Sequence, residues 1–217
     1  MEKYHKQIQD TVKLLRDLSK ELEEASKGKL STNDTTPERL LWEIFNKVFN
    51  ILVILENGLL TKDSLTIHLV ARYSYEMLVV FAYIFLDKSE TQKRAQEFTQ
   101  FDQFKNLKRM WTDKTFSQMV EAIPNDSRFK IHKQHYRNLS NFAHPTMDSF
   151  RLNRRGDQSE FLMIFGTLLL TVGTILEIIK ICFEENLHFT EVERKKINLK
   201  NFHTKTEQIM KELQIKE

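Results

Sequence analysis

The chain has 217 residues, of which 41% are hydrophobic and 29% charged, values typical of one folded domain with or without an appendage. Its 5 glycines and 3 prolines are too few for the many tight turns of an all-β or doubly wound fold. A single cysteine, Cys182, excludes an intramolecular disulfide and a cysteine-based zinc cluster, and residues 1–30 contain no apolar export signal. These features predict a cytoplasmic protein.

Apolar residues recur at helical spacing along the first part of the chain. A first amphipathic helix is expected to end near Gly28, and a polar linker follows. A second helix begins at Thr36-Pro37 and is expected to end at Asn57-Gly58. A third and largely buried helix runs from Asp63 or Ser64 to about Leu86.

The middle of the chain predicts shorter helices. A capping box over Ser89-Glu90-Thr91-Gln92 is expected to open a charged helix, and a short helix covers Phe116 to Ala122. The next helix begins after Ser127 and ends at about His144, because Pro145 disfavours helical geometry in the residue before it.

The last part of the chain predicts a loop over 146–156, a long apolar helix over 157–183 and a lysine-rich helix from Thr190 onwards. The whole pattern favours an all-α bundle of six to eight helices. Its predicted segments are an N-terminal helix and linker (1–36), a helical bundle (37–189) and a C-terminal helix (190–217). Glycine-rich phosphate loops and zinc-protease motifs are absent from the sequence.

The stretch from Phe161 to Leu176 has 16 residues without a charge. A membrane span needs about 20 apolar residues, and Glu177 and Lys180 follow where a span would need its second half. We therefore expect a buried central helix and no stable membrane span, with a membrane-associated protein as the alternative.

Positive charge is concentrated in one zone between residues 128 and 155. Asp148 is the only acid there, against seven basic residues, so the zone carries +6 while the whole chain carries +3. Its basic residues are Arg128, Lys130, Lys133, Arg137, Arg151, Arg154 and Arg155. Such a zone suits a polyanion such as RNA, because phosphate contacts dominate nucleic-acid affinity. A solvated helix face and loop is the alternative.

Arg137 and His144 are the strongest candidates for catalytic residues. They are seven residues apart, so on a helix they lie on one face, roughly 10 Å apart along the axis. Arginine binds a phosphate through paired hydrogen bonds, and histidine transfers protons near neutral pH. Asn138 and Ser140 can orient the ribose, the histidine or a water molecule. Lys133 and Asn141 lie near the same face, and Tyr136 can stack on a base or pack in the core.

This stretch resembles the signature of the HEPN superfamily (higher eukaryotes and prokaryotes nucleotide-binding), which is an arginine, a polar residue and, after four to six intervening residues, a histidine. Here Arg137-Asn138 is followed by His144, with six residues between arginine and histidine. The run Leu139-Ser140 to His144-Pro145 also resembles the Leu-Ser-x-x-x-His-Pro segment of a bacterial HEPN-like family of uncharacterised function. The stretch from His68 to Tyr83 resembles that family's earlier helix. The resemblance covers roughly residues 40–185.

HEPN domains are all-α bundles, and many are metal-independent RNA endonucleases of toxin–antitoxin, abortive-infection and CRISPR-associated systems. The resemblance implies that Arg137 and His144 are catalytic, with Asn138 and Ser140 positioning them. It implies RNA as the substrate. The concentrated positive charge and the side chains beside the motif predict Lys130, Lys133, Tyr136, Asn141, Arg151, Arg154 and Arg155 as the RNA-binding residues. The resemblance further implies no cofactor or metal, a homodimer that joins two motifs, and an antitoxin or another defence protein as a further partner.

Several alternatives remain open for these residues. His144 can cap its own helix, Arg137 can pair with a buried carboxylate such as Glu76, and His132 and His135 can together contact a metal. Arg128 and His135 repeat the spacing of the signature. Some HEPN domains only bind, so a non-catalytic module for a partner protein or RNA is the alternative function.

Arg72 and Glu76 lie four residues apart on the third helix, and we expect them to form a structural ion pair.

Overall fold

The computed structural model describes residues 5–26, 36–61, 63–101, 112–123, 158–184 and 198–214. Within these ranges the chain forms helices and no strand, so the predicted all-α bundle is confirmed. The described helices are α1 (His5–Ser26), α2 (Thr36–Thr61), α3 (Ser64–Phe85), α4 (Thr91–Thr99), α5 (Phe116–Ala122), α6 (Gln158–Glu184) and α7 (Leu199–Gln214).

The two most apolar helices, α3 and α6, form the centre of the bundle. They pack against each other, while α2, α4 and α5 also contact α3, and α2 and α7 contact α6. A helix that is apolar on nearly all sides is stable in water only when neighbours cover it. Phe81 and Phe85 of α3 and Phe165 of α6 are accordingly among the largest fully buried side chains.

The outer helices α1 and α7 each bury one face. Leu15, Leu18 and Leu22 of α1 and Phe202 of α7 belong to the same core as α3 and α6. Arg16 of α1 binds Glu56 of α2, with its Nε donating to Oε1 over 2.7 Å. The N-terminal helix therefore packs as part of the bundle.

The predicted end of the second helix at Asn57-Gly58 is wrong, because α2 continues to Thr61. Gly58 lies where α2 meets α3, and a Cβ atom there would stand 3.0 Å from Cγ1 of Ile67. The glycine thus allows close packing between two helices. The predicted start of α3 is confirmed, since the Asp63 side chain accepts a hydrogen bond from the backbone N–H of Thr66.

The predicted capping box before α4 is wrong. Glu90 occupies the N-cap without a side-chain cap bond, and the Ser89 hydroxyl donates instead to Asp87. A complete capping box stands before α5, where Thr115 and Gln118 satisfy each other's backbone N–H groups. The bounds of α5 itself, Phe116 to Ala122, are those predicted.

Three described helices are long and apolar enough to cross a membrane by length and composition, namely Arg39–Thr61, Ser64–Phe85 and Ile164–Cys182. Only the last of these regions was weighed from the sequence as a membrane span. Neighbouring helices bury 72% of the apolar window in α6 and 67% of that in α3, but 44% of that in α2. The absence of a stable membrane span remains a prediction, and it now concerns α2 and α3 as well as α6.

Candidate functional site

All the predicted catalytic and RNA-binding residues lie outside the described residues. They are Lys130, Lys133, Tyr136, Arg137, Asn138, Ser140, Asn141, His144, Arg151, Arg154 and Arg155. The same holds for His132, His135 and Arg128. The structure therefore describes the helices on either side of this segment, which are α5 before it and α6 after it.

Both of these flanking helices contact α3. The ring of Phe116 in α5 lies 6.2 Å from the ring of Tyr75 in α3, measured between centroids. Thr167 in α6 lies 3.3 Å from Nε2 of His68 in α3. The described helices that come before and after the charged segment in the chain, α5 and α6, thus both pack on α3.

Three polar side chains form a row on α3, which is otherwise a strongly apolar helix. His68, Arg72 and Glu76 follow one another at intervals of four residues, and this spacing places them on one side of the helix. His68 is buried, while Arg72 and Glu76 are partly exposed. We call these three residues the α3 polar row.

His68 is held between α3 and α6. Its Nδ1 atom donates a hydrogen bond to the carbonyl oxygen of Ser64 over 2.7 Å, because a carbonyl can only accept. Nε2 is then the unprotonated nitrogen, and the hydroxyl of Thr167 donates to it. Burial lowers the pKa of His68 below its usual value, although the bond to Ser64 opposes that shift. The imidazole is therefore neutral at neutral pH.

Arg72 and Glu76 form the ion pair that their spacing predicts. Nε of Arg72 lies 2.9 Å from Oε1 of Glu76, and the two side chains are 23% and 38% exposed. A pair this accessible to water contributes little stability. It does fix a guanidinium and a carboxylate at the surface of α3.

Tyr75 lies beside the polar row and faces α5. Its side chain is buried, and burial raises the pKa of the hydroxyl, which stays protonated at all physiological pH values.

The surface between the described helices includes two depressions. One is an apolar groove of about 190 Å³ between α2, α3 and α4, where Tyr73 and Glu76 of α3 face Glu43 and Lys47 of α2. The other lies between α1 and α7 and mixes Lys6, Lys13 and Lys205 with Asp10, Asp17 and Glu212. This mixture of signs favours no simple ion as a ligand.

No group of three His, Cys, Asp or Glu side chains within the described ranges is arranged to hold a metal ion. The cysteine Cys182 is fully buried in α6, and burial raises the pKa of its thiol to about 12. It is therefore not a reactive nucleophile.

Comparison with known proteins gives no match, since no family model, no curated protein and no solved structure resembles the chain significantly.

The sequence places His68, Arg72 and Glu76 on the third helix, but it predicted a role only for Arg72 and Glu76 and not the position of His68 between α3 and α6. The signal was available in the i, i+4, i+8 spacing of three polar residues on an apolar helix. The groove beside Tyr73 could not be found in this way, because three separate helices form it.

Proposed function

We propose that the protein is a metal-independent endoribonuclease of the HEPN type, acting in a bacterial defence or toxin system. One observation carries the proposal. The segment with the signature and the +6 charge is flanked by α5 and α6, and both helices pack on α3, which presents the polar row. An all-α bundle of this kind agrees with the fold that the signature implies.

The proposed chemistry needs only the groups of the substrate and of this chain. The ribose 2′-hydroxyl loses its proton and its oxygen attacks the adjacent phosphorus, while the bond to the 5′ oxygen breaks and that oxygen takes up a proton. His144 accepts the first proton or donates the second. Arg137 stabilises the charge on the five-coordinate phosphate, and Asn138 and Ser140 position the reacting groups. The products carry a 2′,3′-cyclic phosphate and a 5′-hydroxyl.

The RNA strand would be bound by the basic residues around this centre, namely Lys130, Lys133, Arg151, Arg154 and Arg155, with Tyr136 and Asn141 contacting bases or ribose. Binding through phosphate contacts weakens steeply with added salt. We further propose that two copies combine their motifs, and that a partner protein restrains the activity in the cell.

The test is cleavage of an RNA by the purified full chain in EDTA. After the cut site is mapped, the same RNA is prepared with a single 2′-deoxynucleotide on the 5′ side of that bond. The proposal predicts cleavage of the first RNA with cyclic phosphate ends and none of the second at that site. Cleavage of both RNAs at the same bond would contradict attack by the 2′-hydroxyl.

The second candidate is a non-catalytic module that binds a partner protein or RNA. It is favoured by the large hydrophobic side chains that α2, α3 and α6 expose, including Leu60, Leu65 and Leu170. Such a module binds RNA or its partner but leaves the RNA intact under all the conditions of the cleavage test.

A further inference from the structure

The first two turns of α1 differ from the rest of that helix in the kind of side chain that they bury. Within residues 5–11 the two buried side chains, Gln7 and Thr11, are both polar, and Ile8 is only partly buried. Over residues 12–24 the buried side chains are all apolar, namely Val12, Leu14, Leu15, Leu18 and Leu22. The buried stripe thus changes character after Thr11, and we call residues 5–11 the N-terminal arm.

Both buried polar side chains of the arm lack a hydrogen bond. Oε1 of Gln7 and Oγ1 of Thr11 are shielded from solvent and have no partner in the part of the chain that the structure describes. Other buried threonines donate to the carbonyl oxygen four residues earlier in their own helix, as do Thr171, Thr174 and Thr206. A buried polar atom without a partner loses its hydration, and exposure to water restores it. The closed position of the arm therefore carries a cost that opening removes.

The contact between the arm and α7 is open and weakly bonded. A depression of about 230 Å³ lies between the two helices, and Lys6 and Asp10 of the arm line it together with Ile209 and Glu212 of α7. Nζ of Lys6 lies 3.7 Å from Oε2 of Glu212, but the Lys6 side chain is 71% exposed. An ion pair this accessible to water adds little stability, so it does not hold the arm closed.

The part of α1 that follows the arm is firmly anchored. Leu18 and Leu22 are fully buried in the core, and Arg16 binds α2. Oε2 of Glu21 accepts a hydrogen bond from the backbone N–H of Asn198, directly before α7. Proteins open locally where few apolar contacts hold a segment, so α1 is expected to open at the arm and not at its other end.

We propose that the N-terminal arm is a hinged lid that opens away from α7 while the remainder of α1 stays packed. Opening gives the oxygen atoms of Gln7 and Thr11 access to water. It breaks few apolar contacts, because Ile8 is the one aliphatic side chain in residues 5–11. The open state uncovers Ile209, which is 6% exposed while the arm is closed. The two states of the bundle thus differ in the surface that α7 presents around this residue.

The first experiment measures how fast a thiol reagent labels a cysteine in the arm of the folded full chain. Thr11→Cys replaces a small side chain that is 0% exposed, and the native Cys182, also 0% exposed, is the matched internal reference in α6. The arm opens without the rest of the bundle, so labelling at position 11 is expected to be at least about a hundredfold faster than at Cys182. Mass spectrometry of the peptides distinguishes the two thiols.

The second experiment compares amide hydrogen exchange in wild type and in the double variant Gln7→Met/Thr11→Val. The new side chains have similar shapes and helix propensities but leave no buried oxygen without a partner. Exchange of the amides of residues 9–12 is therefore expected to slow about tenfold or more. Gln9→Met is the matched control, since Gln9 is exposed on the same arm, and it should change these rates less than about threefold.

Two results would overturn the proposal. Equal labelling rates at position 11 and at Cys182 would show that the arm opens only when the whole bundle unfolds. Unchanged or faster exchange in the double variant would show that the closed arm satisfies Gln7 and Thr11, for instance through a buried water molecule. Neither measurement involves RNA, so the outcome is independent of the proposed function.

Discussion

His68 and Arg94 are polar side chains that the core holds by bonding them to backbone carbonyl groups. His68 donates to Ser64, and Nη1 of Arg94 donates to the carbonyl oxygen of Tyr83 over 2.6 Å. The guanidinium of Arg94 also binds Asp87 and lies 4.2 Å above the Tyr83 ring. Buried polar groups are tolerated when their hydrogen bonds are satisfied, so we expect substitution of either residue to lower stability.

We predict that the protein loses stability as the solution is acidified through the titration of His68. The folded state lowers the pKa of His68 below 6.5, so the unfolded chain binds the proton more tightly. The contribution of His68 to the free energy of unfolding is complete above the pKa that this residue has in the unfolded chain. It declines as the pH falls below that pKa, by at most about 1.4 kcal/mol per pH unit. Urea unfolding from about pH 7.5 to about pH 5.5 should therefore show a smaller loss in His68→Gln than in wild type. Equal losses in both proteins would contradict this account.

Arg94→Lys is predicted to destabilise the fold by about 1–3 kcal/mol, although the charge is kept. Lysine cannot bind the Tyr83 carbonyl and the Asp87 carboxylate with one planar group. The matched control is Lys93→Ala on the same helix, where the ammonium lies 3.8 Å from Glu90 and the side chain is 70% exposed. Chemical denaturation should show a change within about 0.5 kcal/mol for the control. Equal effects of the two substitutions would refute the role of Arg94.

At the scale of elements, helical spacing predicted which segments are helices but not every end. The start of α3 and both bounds of α5 were found, because a cap residue or a proline marks them in the sequence. The end of α2 was missed, because Asn57-Gly58 is a common stop signal and only the packing of Ile67 explains the glycine. Stop signals in the sequence therefore mispredict a helix end where the residue is needed for packing against another helix.

Two helical glycines give a direct test of this interpretation. A Cβ atom at Gly166 in α6 would meet nothing within 4 Å, whereas one at Gly58 would lie 3.0 Å from Ile67. Gly166→Ala should therefore stabilise the protein by about 0.5–1 kcal/mol through helix propensity. Gly58→Ala should lose that gain and be less stable than Gly166→Ala by at least about 1 kcal/mol. Thermal unfolding of both variants measures the difference, and equal stabilities would show that Gly58 is not a packing residue.

For the molecule as a whole, composition and the spacing of apolar residues together were enough to predict the all-α class. Few glycines and prolines, together with apolar residues at helical spacing, exclude most other folds. The contacts among the helices could not be predicted, since many arrangements bury the same apolar faces. The position of α3 between α2, α5 and α6, and with it the surroundings of the polar row, became clear only in three dimensions.

The sequence likewise suggests some features of the candidate site and leaves others to experiment. The signature from Arg137 to His144 is a local pattern, so the sequence alone suggests it, and its catalytic role remains a prediction. Arg128 and His135 have the same spacing as Arg137 and His144, so spacing alone does not select one Arg–His pair. Only the chemistry of variants can separate the two pairs.

We propose that His144 transfers protons in RNA cleavage, and a comparison of two histidine variants in EDTA tests this role most directly. His144→Ala is predicted to cleave RNA about 10²–10⁴ times more slowly than wild type, because that is the usual contribution of a general acid or base. His135→Ala, the matched control from the second Arg–His pair, is predicted to keep the wild-type rate. Equal cleavage by wild type and His144→Ala, or loss of cleavage only in His135→Ala, would contradict the account.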